Sequence, residues 1–319
     1  MVGKYLFPYF LALATSFAGL LILGLAPALS IEKVRLATPV PDHPVFVLPI
    51  LVAEEQGFWK GEGVEVKWHS LRGSSMVFKA AAAGDVDMGV EISVGYIQAA
   101  ARGVPALLVG DLKQPYPFFI WVRADSPIKT AAELKGAKIA VTNLGGTSYG
   151  HGRLALKALG IEKEVKFVAT GGIVNTHAGL KTGVIEATVQ TMFAMAPLKL
   201  KGEAREVVAI KDYMPKEWVD MVLWVHQDFL KKGTAIRGTI KGLTQATDFI
   251  MKNPDWSINK VKSHFGYSDQ MAKFSYGLLS YGKGAAVEPK ALENVNHFLV
   301  EYGIVPKDRM VPVDKLYTN

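Results

Sequence analysis

Apolar and polar positions alternate in short runs along most of the chain, with helical stretches between them. Val34-Arg35-Leu36-Ala37-Thr38 alternates and predicts a strand, closed by the breaker cluster Pro39-Val40-Pro41-Asp42-His43-Pro44. A helix follows over 47–56 and stops at Gly57. Val64-Glu65-Val66-Lys67-Trp68 alternates again. Arg72-Gly73-Ser74-Ser75 turns the chain, with a serine placed to cap a helix that ends at Gly84. Strands at 86–90 and 104–109 bracket a helix at 93–102.

The pattern then restarts. Thr130 followed three residues later by Glu133 is a capping box, and Gly136 ends that short helix. Lys138–Thr142 is a strand, and Gly145-Gly146-Thr147-Ser148 opens a helix ending near Gly160. Val165–Ala169 is a strand, Thr170-Gly171-Gly172 opens a helix ending near Gly183, and Ile185–Gln190 is a strand. AAAAGDVDMGV at 80–90 and HAGLKTGVIEATV at 177–189 share one grammar: helix, glycine, then an acidic residue entering an apolar strand. Strands that alternate with helices imply right-handed crossovers and mostly parallel sheets. The chain thus reads as α/β, with two similar lobes.

The apolar segments 115–123 and 219–225 read as paired crossover strands between the lobes. Residues 234–319 are helical by period, broken at Pro254, Gly266, Gly282-Lys283-Gly284 and Pro289, and pack back onto the first lobe. The lobes expected are 31–121 with 225–319, and 122–224. Trp59 and Trp68 are expected in the packing of the first lobe, and Phe118, Phe119 and Trp121 in the crossover core or at its rim.

Residues 1–30 differ from the rest. Lys4 is their one charge, and an apolar stretch runs to Ala26-Pro27-Ala28. This reads as an export signal cleaved after Ala28 or Ser30 or, uncleaved, as an anchor. The chain has no cysteine, which removes disulfides, thiol nucleophiles and Cys-ligated metals. Its seven histidines show no paired metal spacing, so no metal or other cofactor is expected. There is no GxSxG, no P-loop and no acid to orient His151 beside Ser148, so no catalytic constellation appears. The net charge of +7 comes from scattered lysines and not from a stripe, and no nucleic-acid partner is expected.

Ligands of open parallel sheets sit beyond the carboxyl ends of the strands. That rule selects Pro41, Asp42, His43, Arg72, Gly73, Ser74, Glu91 and Ser93 from the first lobe. From the second it selects Asn143, Gly145, Gly146, Thr147, Ser148, Thr170, Gly171, Gly172, Gln190 and Thr191. The glycine-led helix starts offer free N–H groups to an anionic group. Glu91 reads either as a ligand group or as scaffold paired with Arg72 or Arg102, since an unpaired buried carboxylate is costly. His43 reads as a rigid turn residue or a ligand group.

AEEQGFWKGEGVEVKW, AAAGDVDMGVEISVGYIQAAARGVPALLVG, TAAELKGAKIAVTNLGGTSYG, HAGLKTGVIEATVQTMFAMAPL and the closing YGIVPKDRMVPVDKLYTN resemble the solute-binding proteins of nitrate, sulfonate and taurine type ABC transporters. The resemblance covers the chain beyond residue 30. It implies a type II periplasmic-binding-protein fold with two crossovers as hinge, a monomer outside the cytoplasm, and a membrane permease as partner. It also implies that the turns named above bind the ligand: a small organic anion or zwitterion of sulfonate or taurine type, or a thiamine-precursor pyrimidine. The related yeast-type pyrimidine synthases carry a cysteine-rich motif that this chain lacks, so a binder is expected and not an enzyme. A tethered ligand sensor is the other alternative.

Overall fold

The computed structural model describes residues 31–318, and the expected export signal lies outside them. The described chain forms one compact unit built on two five-stranded sheets. The first holds β1 (Glu32–Thr38), β2 (Val64–Ser70), β3 (Met88–Ile92), β4 (Ala106–Asp111) and β10 (Met221–His226) in the order β2-β1-β3-β10-β4. The second holds β5 (Phe118–Arg123), β6 (Lys138–Val141), β7 (Lys166–Ala169), β8 (Ala187–Thr191) and β9 (Ala204–Ala209) in the order β7-β6-β8-β5-β9. Both have the same plan: three parallel strands, then an antiparallel one that the chain enters directly from the other sheet.

Helices connect the strands. They are α1 (Pro44–Glu55), α2 (Phe58–Gly61), α3 (Ser74–Ala82) and α4 (Ser93–Ala100) around the first sheet, and α5 (Thr147–Ala158), α6 (Ile173–Thr182) and α7 (Met192–Leu200) around the second. The tail contributes α8 (Gly233–Lys252), α9 (Pro254–Phe265), α10 (Asp269–Gly277) and α11 (Pro289–Glu301). α8 packs on α1, α2 and the first two strands. Trp59 sits in that packing, its indole N–H donating to Thr239 O at 3.1 Å.

The shared grammar at 80–90 and 177–189 has a shared hydrogen-bond purpose. Asp87 accepts from the backbone N–H of Arg35 at 2.7 Å, and its own N–H donates to Arg35 O at 2.9 Å. Glu186 does the same with Lys138, at 2.8 and 3.1 Å. In each sheet an acid entering the third parallel strand thus satisfies a backbone N–H of the strand beside it.

Three sequence expectations change. Segments 118–123 and 221–226 do not pair with each other; β5 lies between β8 and β9, and β10 between β3 and β4. Each instead fills the middle of a sheet, with a strand paired on either side; β10 is buried at all six positions and β5 at four. The chain passes between the sheets at 112–117 and 210–220 instead. Neither serine of the turn caps α3, whose N-cap is Gly73 at φ +91°. The strand β9 has no counterpart in the sequence reading, because its charged Arg205 and Glu206 mask the alternation.

Candidate functional site

A cavity of about 490 Å³ opens between the carboxyl ends of the two sheets. It is walled by the β1–α1 turn, the start of α3 and the end of β3 on one side. The starts of α5, α6 and α7 wall the other. Fifteen of the eighteen residues chosen from sequence line it: Pro41, Asp42, His43, Arg72, Gly73, Ser74, Glu91, Asn143, Gly146, Thr147, Ser148, Gly171, Gly172, Gln190 and Thr191. Ser93, Gly145 and Thr170 stand behind it and hold turns. Ser93 Oγ donates to Val219 O, Gly145 supplies a left-handed turn at φ +81°, and Thr170 Oγ1 shares a hydrogen bond with Thr176.

The two walls touch through hydroxyls. Ser74 Oγ and Thr147 Oγ1 are 2.7 Å apart, and Ser74 Oγ also donates to Glu91 Oε1 at 2.9 Å. Close approach depends on glycines. A Cβ on Gly73 would meet Asn143 Nδ2 at 2.5 Å, and one on Gly150 would meet Val94 at 2.7 Å and Gln98 at 2.8 Å. Gly150 therefore lets α5 lie against α4 across the two sheets.

Glu91 is fully buried at the end of β3. Its Oε1 accepts from Ser74 and from the N–H of Ile92 at 2.8 Å, while Oε2 has no partner. The expected scaffold pairing with Arg72 or Arg102 is not formed; Arg72 lies exposed at the rim. Burial pushes the Glu91 carboxyl up to about 8, outweighing the two hydrogen bonds.

His43 is held as its flanking prolines predict, with Pro44 opening α1. Its Nδ1 lies 2.5 Å from the Tyr116 hydroxyl, and its Nε2 is buried without a partner. Burial takes its pKa down to about 3, so the ring is neutral. His151 is buried under Phe118, ring centroids 4.2 Å apart, with Nδ1 3.0 Å from Thr147 O; burial lowers it to about 4.

The sequence reading allowed Phe118 a rim position but missed the rest of the aromatic wall. Tyr116, Phe118 and Phe193 line the cavity, with Tyr116 and Phe193 stacked at 5.9 Å. Tyr267, from the tail, donates to Asp42 O at 2.9 Å and closes the β1–α1 turn. His177 lines it too, with Nε2 2.8 Å from Ala194 O. These residues come from segments far apart in sequence, and no local pattern marks them. Among the described residues no cluster of His, Asp and Glu is placed to hold a metal ion.

Two sheets of this order, joined by two passages, form the periplasmic-binding-protein fold. Solved structures with it include the CA3427 gene product of Candida albicans, with TM-score 0.79 and 17% identity over 90% of this chain and 96% of that one. The alkanesulfonate-binding protein SsuA of Xanthomonas axonopodis pv. citri, bound to MOPS, gives TM-score 0.75 and 19% identity over 90% and 98%. Residues 45–257 match the NMT1/THI5 like family, and the chain belongs to it. A curated relative, the 4-amino-5-hydroxymethyl-2-methylpyrimidine phosphate synthase THI13 of Saccharomyces cerevisiae, is 23% identical over 310 residues, covering 83% of this chain and 85% of its own.

Proposed function

We propose that the chain is the extracytoplasmic solute-binding component of an ABC importer, which closes its two lobes over a small organic molecule and presents it to a membrane permease. The lobes of this reading are 31–121 with 225–319, and 122–224, moving about the two passages between the sheets. One observation carries the reading: a single cavity is shared by the ends of both sheets and bridged by Ser74 and Thr147. A pocket built half from each lobe exists in full only when the lobes are together, so a ligand that touches both favours the closed form.

The helix starts at Gly146-Thr147 and Gly172-Ile173 favour an anionic or strongly polar end on the solute, because their first N–H groups lack helical partners. A sulfonate or taurine-like solute satisfies that end. The aromatic wall favours a second reading, a thiamine-precursor pyrimidine, whose flat ring would lie against the wall of Tyr116, Phe118 and Phe193. The yeast relative, a pyrimidine phosphate synthase by name, supports the same ring. A binder is favoured over a synthase, since the cavity gathers neutral hydrogen-bonding groups and aromatic faces instead of a nucleophile with its base.

A thermal-shift panel of sulfonates, taurine, nitrate, carboxylates, amino acids and pyrimidines tests the proposal. A solute at a hundred times its dissociation constant adds about 2.7 kcal/mol. A clear rise with one class supports solute capture. A flat response from folded, empty protein overturns it.

A further inference from the structure

The first passage between the sheets holds Lys113, the one non-glycine residue among those described with a left-handed backbone, at φ +51°. A residue with a side chain stays in that conformation where its surroundings over-determine it. Here the surroundings all belong to the side of the first sheet. Lys113 N–H donates to Asp111 Oδ1 at 2.7 Å, and its Nζ pairs with Glu288 Oε1 at 3.3 Å. Gly282 lets the two segments come close: a Cβ there would meet Lys113 Cβ at 2.5 Å. The next residue, Gln114, is buried. Its Oε1 accepts from Ser280 N–H at 2.7 Å, and its Nε2 donates to Leu278 O at 3.3 Å. Asp111 N–H donates to Ala285 O at 2.9 Å. The loop between α10 and α11, residues 278–288, thus grips residues 111–114.

α11 grips the second passage. Asn294 Nδ2 donates to Glu217 O at 3.1 Å, and Phe298 meets Trp218 edge to face with centroids 5.8 Å apart. Ser93, opening α4, donates through Oγ to Val219 O and through its N–H to Asp220 O at 2.8 Å. Asp220 in turn holds Tyr116 N–H of the first passage. The other end of the second passage, 210–213, packs instead on α5 and β5 of the second sheet. Little chain is left between the two sets of contacts: Pro117 before β5, and residues 214–216.

We propose that residues 278–298 form a brace for the hinge, an inference that rests on the two-lobed reading above. The brace makes residues 111–116 and 217–220 part of the first lobe and confines the turning to Pro117 and to 214–216. A hinge of a few residues at element ends absorbs the whole change of backbone angle when two lobes part. The brace therefore sets how freely the lobes open. Apparent affinity scales with the fraction of protein in the binding-competent form, so the same segment tunes solute affinity from outside the cavity. None of residues 278–298 lines that cavity.

The test needs no solute. Spin labels at Met76→Cys and Leu144→Cys, exposed on opposite sides of the cavity, report the spread of lobe separations in the purified full chain. Gln114→Ala removes the grip on the first passage, and Asn294→Ala removes one on the second. Lys290→Ala, whose side chain pairs with Glu293 on the same helix, is the control. Amide exchange is expected to speed up about tenfold or more at 111–114 in Gln114→Ala and at 217–220 in Asn294→Ala. Each variant is expected to broaden the distance distribution toward longer separations, and Lys290→Ala to match the unbraced-free parent pair. Should Gln114→Ala fail to fold, Lys113→Gly takes its place, since glycine keeps the left-handed backbone without cost while losing the Glu288 pair. The proposal is overturned if exchange does not speed up in the brace variants, if it does and the distribution stays as in the parent pair, or if Lys290→Ala broadens it equally. A parent pair that no solute alters would instead contradict the solute-binding reading, with the brace still judged on the solute-free widths.

Discussion

Ser74 and Thr147 join their hydroxyls at 2.7 Å, one opening a helix beside the first sheet and the other a helix beside the second. The bond continues to Glu91, so the contact between the walls and the buried carboxyl form one chain. Thr147→Val keeps the shape and removes the hydroxyl hydrogen that Ser74 accepts. A loss of about 1 kcal/mol is expected in urea unfolding. Ser74→Ala, which strips a donor from a buried oxygen, is expected to cost more, about 1–3 kcal/mol. The double variant should be less than additive, which a double-mutant cycle measures.

The acids of the two matching phrases are not equal. Asp87 accepts from Arg35 N–H, from Arg35 Nε at 3.0 Å and from a terminal guanidinium nitrogen at 2.6 Å, with its side chain 12% exposed. That carboxylate pushes the Arg35 pKa up. Glu186 is exposed and serves one backbone N–H. Asp87→Asn is expected to cost about 1.5–3 kcal/mol and Glu186→Gln under about 1 kcal/mol, read from urea midpoints.

Gly150 sits inside a helix, where replacement by alanine ordinarily stabilises by about 1 kcal/mol. Here the sign reverses, because the new Cβ would press on Val94 and Gln98 of α4. Gly150→Ala is expected to lower thermal stability by about 1–3 kcal/mol and to speed ligand release. A gain in stability with unchanged release would remove α4–α5 packing from the account.

Asp220 stands just before β10, half-buried, and its Oδ2 accepts from Tyr116 N–H at 3.0 Å. It thereby ties one passage between the sheets to the other. Burial raises its pKa from 3.8 to about 6. The folded state thus holds this proton more tightly than the unfolded chain does. Its stabilising contribution is full below about pH 4 and is lost as pH rises through 6. Asp220→Asn keeps an acceptor for Tyr116 and removes the charge. It is expected to match wild type near pH 4 and to exceed it at pH 8 by on the order of 3 kcal/mol. Melting temperatures across that range check the crossing. The buried histidines, lowered to about 3 and 4, contribute in the opposite sense, but equally in both proteins.

Glycine punctuation and alternation made most strands and helices legible, because Gly84, Gly160 and Gly183 end their helices at backbone angles other residues resist. The carboxyl-end rule located the cavity, since every turn it chose is a strand end or a helix start. Tertiary pairing was not legible. Nothing local distinguishes a crossover strand from one in mid-sheet, so β5 and β10 were given the wrong partners. Tyr116 and Tyr267 reach the cavity only because a passage between the sheets and the tail bring them there, and Phe193 because the first turn of α7 faces it. Ser74 reads locally as a helix cap, yet its hydroxyl serves Glu91 and Thr147 across the cavity.

The central claim is that the two walls close on a solute, and one distance tests it. Met76, in the first turn of α3, and Leu144, before α5, are exposed on opposite walls. The chain has no cysteine, so Met76→Cys with Leu144→Cys accepts two spin labels and no others. Pulsed dipolar spectroscopy is predicted to show a broad distance distribution in solute-free protein that narrows to a single shorter distance when the stabilising solute is added. A distribution that no solute in the panel alters would contradict the account.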